Sequence, residues 1–281
     1  SEGFEGVTKQ QSAKIKEIAD EWSRDNMPTD WRRSGARLEK LVATGPAIPL
    51  QPGEAWSDLA LEHLSVLDES RLAVWTDLFN HCQTATAAKP SAKWLKTANE
   101  LMEIAGREQF RRAMVSWFPA VKDPRTTPID EWSQWSPDPN WMIIPQHADM
   151  LKGMVWCSST FEDPEIARVL TELAVTCYKK IPRHGPRQAK VGNACVYALG
   201  AMPGMDAVGQ LAILKVRVKL SSAQKGIEKA LDAAAKREGI SRDEIEELAV
   251  PSYGLTDVGV LREAFDEFTG ELTVVGSKTE L

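Results

Sequence analysis

From Asp163 onward the apolar positions are Ile166, Val169, Leu170, Leu173, Ala174, Cys177, Tyr178 and Ile181. They recur every three or four residues, which places them on one stripe of a 3.6-residue helix. Asp163 is a capping residue, Pro164 occupies the first helical position where its missing N–H costs nothing, and Pro182 stops the run, so a helix is predicted over about 163–181. The same period returns at Trp94, Leu95, Ala98, Leu101, Met102 and Ala105 behind a capping Ser91. Further stripes run through Phe110, Ala113, Met114 and Trp117, and through Ile15, Ile18, Ala19 and Trp22. Ser241 with Glu244 three residues on is a capping box. About ten or eleven helices are read this way. They are joined at Pro28, Gly45–Gly53, Pro90, Gly106, Pro182–Pro186 and Pro203–Gly204.

The helices fall into pairs, 163–181 with 187–201 and 204–219 with 221–238. Equivalent starts are about 40 residues apart, the period of HEAT-type repeats, in which each pair buries its apolar face only by stacking on the next. The expected fold is all-α, a HEAT-like α-solenoid of paired antiparallel helices over 1–248. Lys215–Leu220 alternates with period two, as a strand would, but it follows a Pro–Gly break and continues Val208, Leu211 and Ala212, so it is read as helix.

Two segments depart from the helical pattern. Residues 119–145 hold six prolines and three tryptophans (Trp132, Trp135, Trp141), a long loop of the kind that often carries function. Residues 249–281 form a junction and then a β-hairpin with Phe265–Phe268 and Leu272–Val275 flanking Thr269–Gly270, expected to open a second domain.

Composition changes this picture little. The chain has 281 residues, 43% hydrophobic and 26% charged, with a net charge of −6. No apolar run approaches the length of a membrane helix, and the acidic start Ser1–Glu5 is no signal peptide. Four cysteines (Cys82, Cys157, Cys177, Cys195) without CxxC spacing read as buried thiols of a reducing, cytoplasmic setting, not as metal ligands. No GxSxG elbow, phosphate-binding glycine loop or HxxxH pair is present, and His63, His81, His147 and His184 lie far apart. No catalytic constellation and no cofactor or metal site is expected.

The local charge is more informative. Between Glu172 and Asp206 there is no acid. From Leu173 to Ile227 the nine basic residues Lys179, Lys180, Arg183, Arg187, Lys190, Lys215, Arg217, Lys219 and Lys225 face one acid, Asp206, for a local +8 that leaves −14 for the rest of the chain. Such a strip on one edge of a solenoid suits a phosphate backbone, and equally an acidic protein surface. Helix-terminal Lys179 and Lys180 also have a purely structural reading, as partners of the helix dipole. Trp132, Trp135 and Trp141 offer an aromatic cage or stacking platform, against the commoner role of anchoring a loop to the core.

The stretch from Asn193 to Gly259 contains Ala198–Gly204, Ala207–Leu220, Ala230–Ala235, Gly239–Glu244 and Val250-Pro251-Ser252-Tyr253-Gly254-Leu255. It resembles the large, mostly bacterial proteins with a domain of unknown function, the group that includes the molybdate-metabolism regulator MolR, some of which carry a WGR module. The resemblance implies a HEAT-like region leading through a VPxxGL junction into a C-terminal domain. It implies no catalytic residues, and the WGR motif itself is not present. The expected function is a non-catalytic scaffold or interaction module of a larger bacterial protein, binding a protein partner or its own C-terminal domain. The alternatives are nucleic-acid binding through the basic strip, and regulation of an enzyme encoded downstream.

Overall fold

The computed structural model describes residues 48–129 and 137–241, three strands between 260 and 280, and scattered positions before residue 48 and at 244. The described chain is mostly helical. Its helices are α1 (Ala55–Ser65), α2 (Glu69–Gln83), α3 (Ala92–Ala105), α4 (Arg107–Ala120), α5 (Pro145–Ser158), α6 (Pro164–Tyr178), α7 (Ala189–Ala201), α8 (Met205–Arg217) and α9 (Ser221–Glu238). A two-strand hairpin, β1 (Lys180–Ile181) with β2 (Gly185–Pro186), joins α6 to α7.

The local signals act where the sequence places them. Asp68, Ser91 and Asp163 accept from the N–H of Arg71, Trp94 and Ile166, capping α2, α3 and α6. Gly239 ends α9 in the left-handed conformation at φ 74°, which costs a residue without a Cβ least. Beyond it the capping box closes, Ser241 N–H donating to Glu244 Oε2 at 2.7 Å and Glu244 N–H to Ser241 Oγ at 3.3 Å.

Packing runs in two rows. α1, α4, α6 and α8 lie each against the next, α2, α5, α7 and α9 do the same, and α6 meets α7 across the rows as α8 meets α9. The core changes character along these rows. Its first half is aromatic: Trp75 lies 5.7 Å from both Phe79 and Trp117 and 6.3 Å from Phe110. Its second half is built from alanine, valine and leucine of α6 to α9. Cys82, Cys157, Cys177 and Cys195 are all buried free thiols in it. At Gly153 of α5 an added Cβ would stand 2.3 Å from the Cys82 carbonyl oxygen, so α2 and α5 touch backbone to backbone.

Two expectations shift in detail. α8 stops at Arg217, and Val218–Leu220 run extended, so the alternating pattern is real for the last three residues. At the C-terminus β3 (Val260–Phe265) pairs antiparallel with β4 (Phe268–Val275), closing at Phe265↔Phe268, four residues earlier in the chain than Leu272, and β5 (Lys278–Glu280) adds a third strand. The turn therefore precedes Thr269–Gly270, which lie inside β4.

The ends of the Pro- and Trp-rich segment are pinned. Asn140 clips Ile129, its Oδ1 accepting from the Ile129 N–H at 2.8 Å and its Nδ2 donating to the Ile129 carbonyl at 3.1 Å. A short 3-10 turn, Pro139–Trp141, follows, capped by Asp138. Trp132 and Trp135 lie outside the described residues.

Candidate functional site: a basic groove

Beneath this segment lies a buried polar centre. Glu54 Oε2 accepts from Trp56 Nε1 at 2.8 Å and from His147 Nδ1 at 2.7 Å, and Glu54 Oε1 accepts from the Ile144 N–H at 2.6 Å. His147 Nε2 accepts from the Gln51 N–H at 3.0 Å. An accepting Nε2 assigns the proton to Nδ1, so the imidazole is the neutral tautomer and every polar atom around the carboxylate has a partner. This centre ties the start of α1 to the start of α5.

The larger feature is a groove of about 1080 Å³ at the α6–α7 hairpin, just above the 300–1,000 Å³ common for small-molecule sites. α6 contributes Glu172, Val175, Thr176 and Tyr178, the hairpin contributes Lys179–Arg183 and Gly185–Arg187, and the end of α8 with its extended tail contributes Arg217–Leu220. Lys122 and Trp141 complete the wall from the Pro-rich segment. The two halves of the basic strip, some 30 residues apart in the chain, thus meet around one cavity together with one residue of the aromatic loop.

The hairpin has a defined shape. Lys180 pairs with Pro186 and Ile181 with Gly185, while the Arg187 N–H donates to the Lys179 carbonyl at 2.9 Å and the Gln188 N–H to the Cys177 carbonyl at 2.8 Å. Arg183 at the turn has φ 63°, a conformation unusual for a residue with a side chain. The ammonium groups on this frame therefore have fixed roots.

The nine strip residues take different roles. Arg187 is only 7% exposed and acts structurally: its guanidinium donates to the Lys122 and Asp123 carbonyls just past α4, at 3.2 Å each. Burial lowers its pKa, and its Nε has no hydrogen-bond partner among the described residues. This corrects its placing on a solvent-facing edge: the carbonyls beyond α4 draw the guanidinium inward. Arg217 forms a two-pronged pair with Glu172, one arm at 3.0 Å, and this arginine holds the Glu172 carboxyl below its usual range. Lys190 pairs with Asp149 at 2.6 Å, Lys215 with Glu228 at 3.4 Å, and Lys225 is exposed; none of the three lines the groove.

The remaining charge faces the cavity. Lys122, Lys179, Lys180 and Lys219 are exposed and form no ion pair within 4 Å among the described residues. Arg183 stands beside them at the hairpin tip. The two lining acids have partners of their own, Glu172 in Arg217 of the same wall and Asp138 in the Asn140 N–H. Lys179 Nζ lies 5.9 Å from the centre of the Trp141 ring, which is 42% exposed. Trp56, Trp75, Trp117 and Trp156 are at most 2% exposed and anchor the core, whereas Trp94 of α3 is half-buried against it and Trp31 is exposed. Lys122 escaped sequence reasoning because a single lysine among prolines carries no pattern. The apolar floor of Val175, Val218 and Leu220 was hidden in the helix reading.

Reactive groups are few here. The lining holds no histidine, no thiol and no paired carboxylates. Burial pushes the Tyr178 hydroxyl up, and that hydroxyl donates to Asn193 at 2.8 Å. Elsewhere Cys82 and Cys157 approach to 3.9 Å between sulfurs, and burial pushes the Cys82 thiol up and the Cys177 thiol to about 12, so Cys82 and Cys177 are protonated core thiols. Among the described residues no group of three His, Cys, Asp or Glu side chains comes together to hold a metal, and no helix is long and apolar enough to cross a membrane. The groove's chemistry is that of holding an anion against an apolar, aromatic wall.

No family model matches this chain, and neither the curated proteins nor the solved structures contain a match to it.

Proposed function

We propose that this chain is a non-catalytic interaction module whose basic groove receives an anionic partner. The observation that carries the reading is the meeting around a single cavity of four lysines that form no ion pair among the described residues, with both of its acids already engaged. The row packing supports the finer reading of the helical part as a HEAT-like stack in which the hairpins α6–α7 and α8–α9 bury their faces on one another. The resemblance at 193–259 supports a place in a larger, MolR-like bacterial protein, and the four buried thiols accord with a reducing cytoplasm.

The test is a titration of the chain with labelled polyanions, poly-glutamate and oligonucleotides, at two salt concentrations. The comparison is a Lys179→Glu/Lys180→Glu/Lys219→Glu variant; Arg187 is left intact because it holds the fold. Salt-sensitive binding that the variant loses, with its circular dichroism unchanged, is expected. Equal binding by both proteins, or none by either, contradicts the reading.

A further inference from the structure

Resting on the groove as an anion site, we propose that its ligand is a single-stranded nucleic acid, with an unpaired base stacked on Trp141 and adjoining phosphates held by Lys179, Lys180 and Lys219.

Charge alone does not choose between a phosphate chain and an acidic peptide, since both satisfy ammonium groups. The aromatic wall makes the choice. Trp141 is held out of the core by a capped turn and keeps 42% of its surface in solvent, whereas four other indoles of the helical body are buried. An indole face beside lysines that lack carboxylates is the combination by which proteins bind unpaired strands: bases stack on the ring while ammonium groups follow the backbone. Lys179 Nζ stands over the ring, 5.9 Å from its centre, so a base stacking on the indole arrives next to a positive charge. A duplex hides its π-faces in its own stack, so it can meet the lysines but cannot use Trp141.

The cations also indicate what kind of reading takes place. Arginine reads base edges through a two-pronged fork, but of the groove's three arginines the Arg217 fork is filled by Glu172, the Arg187 fork by backbone carbonyls, and Arg183 at the hairpin tip is not without a partner of its own. The lysines left over are point charges. Binding by this groove is therefore tolerant of sequence and selective for strandedness.

The experiment uses the full chain and fluorescence anisotropy with a short labelled oligothymidylate, the duplex of equal length, and poly-glutamate. The expected result is tighter binding of the single strand, with log K falling against log salt at a slope of about −2 for three phosphates. Trp141→Ala weakens the single strand roughly ten-fold and leaves the duplex unchanged, while Trp141→Phe retains most of the affinity. Ultraviolet crosslinking of the wild-type complex places the adduct on the peptide that contains Trp141, a readout independent of how any variant folds. Equal affinity for both strandednesses with no effect of Trp141→Ala, or adducts only on other peptides, overturns the proposal. Poly-glutamate bound in a lysine-dependent way without oligonucleotide binding overturns it too, yet leaves the groove as an anion site. Failure of every polyanion removes both readings.

Discussion

Arg187 lines the groove and feels the charge of Glu54, and the contrast between the groove and the Glu54 centre is instructive. At Glu54 one buried carboxylate meets three donors, and its histidine partner is itself satisfied by a backbone N–H. In the groove, four ammonium groups stand in solvent without a carboxylate within 4 Å among the described residues. Burying a polar group is tolerable only when it is paired, so the first arrangement is what folding demands. Nothing in folding demands the second. Like charges gathered around one cavity oppose the compact state, and an anion bound there would offset that repulsion.

That contrast breaks first at Glu54. Glu54→Ala leaves three buried donors without an acceptor and is expected to cost about 3–5 kcal/mol, read as a fall in the urea midpoint. Lys180→Ala in the groove is expected to stay within about 0.5 kcal/mol of wild type in the same assay. A Glu54 variant as stable as the Lys180 variant would remove the distinction.

Arg187 sharpens it, because it belongs to both regions. Arg187→Met keeps the apolar stem and loses two charged hydrogen bonds to carbonyls, an expected cost of about 2 kcal/mol. Amide exchange of the 180–186 hairpin should quicken in that variant more than exchange of α7. Uniform change along the chain would mean that Arg187 does not hold the groove wall.

Acid gives a smaller effect. Burial alone would raise the Asp163 carboxyl, but its hydrogen bond from Arg111 and the N–H of Ile166 hold it below its usual value. A depressed carboxylate stabilises the fold above its unfolded value, near 3.9, and that contribution is lost as pH falls from there through the folded value. Arg111→Met is therefore expected to lose stability less steeply than wild type below about pH 4. The smallest effect is expected at Lys225→Glu, which removes a strip residue that does not line the groove. Its polyanion affinity should match wild type, and a loss as large as that of the Lys180 variant would move the site elsewhere.

Much of the fold was legible because the chain marks its helices twice, by period and by punctuation. Asp163, Pro164 and the stripe to Tyr178 define α6, and Gly239 with the Ser241–Glu244 box marks the end of α9. The end of α6 was read three residues late, since Ile181 continues the stripe although the backbone has already turned into the hairpin. The site was legible only in part. A run of basic residues announces charge, but which members are spent depends on partners far along the chain: Glu172 is 45 residues from Arg217, and Asp149 is 41 from Lys190. The Glu54–His147 contact, spanning 93 residues, has no local pattern at all.

The most direct test of the central claim is amine footprinting of the chain with and without a bound oligothymidylate, read lysine by lysine by mass spectrometry. The account predicts protection of Lys122, Lys179, Lys180 and Lys219, with Lys215 and Lys225 labelled as before. Protection spread evenly over the basic strip, or confined to lysines outside the groove, would contradict it.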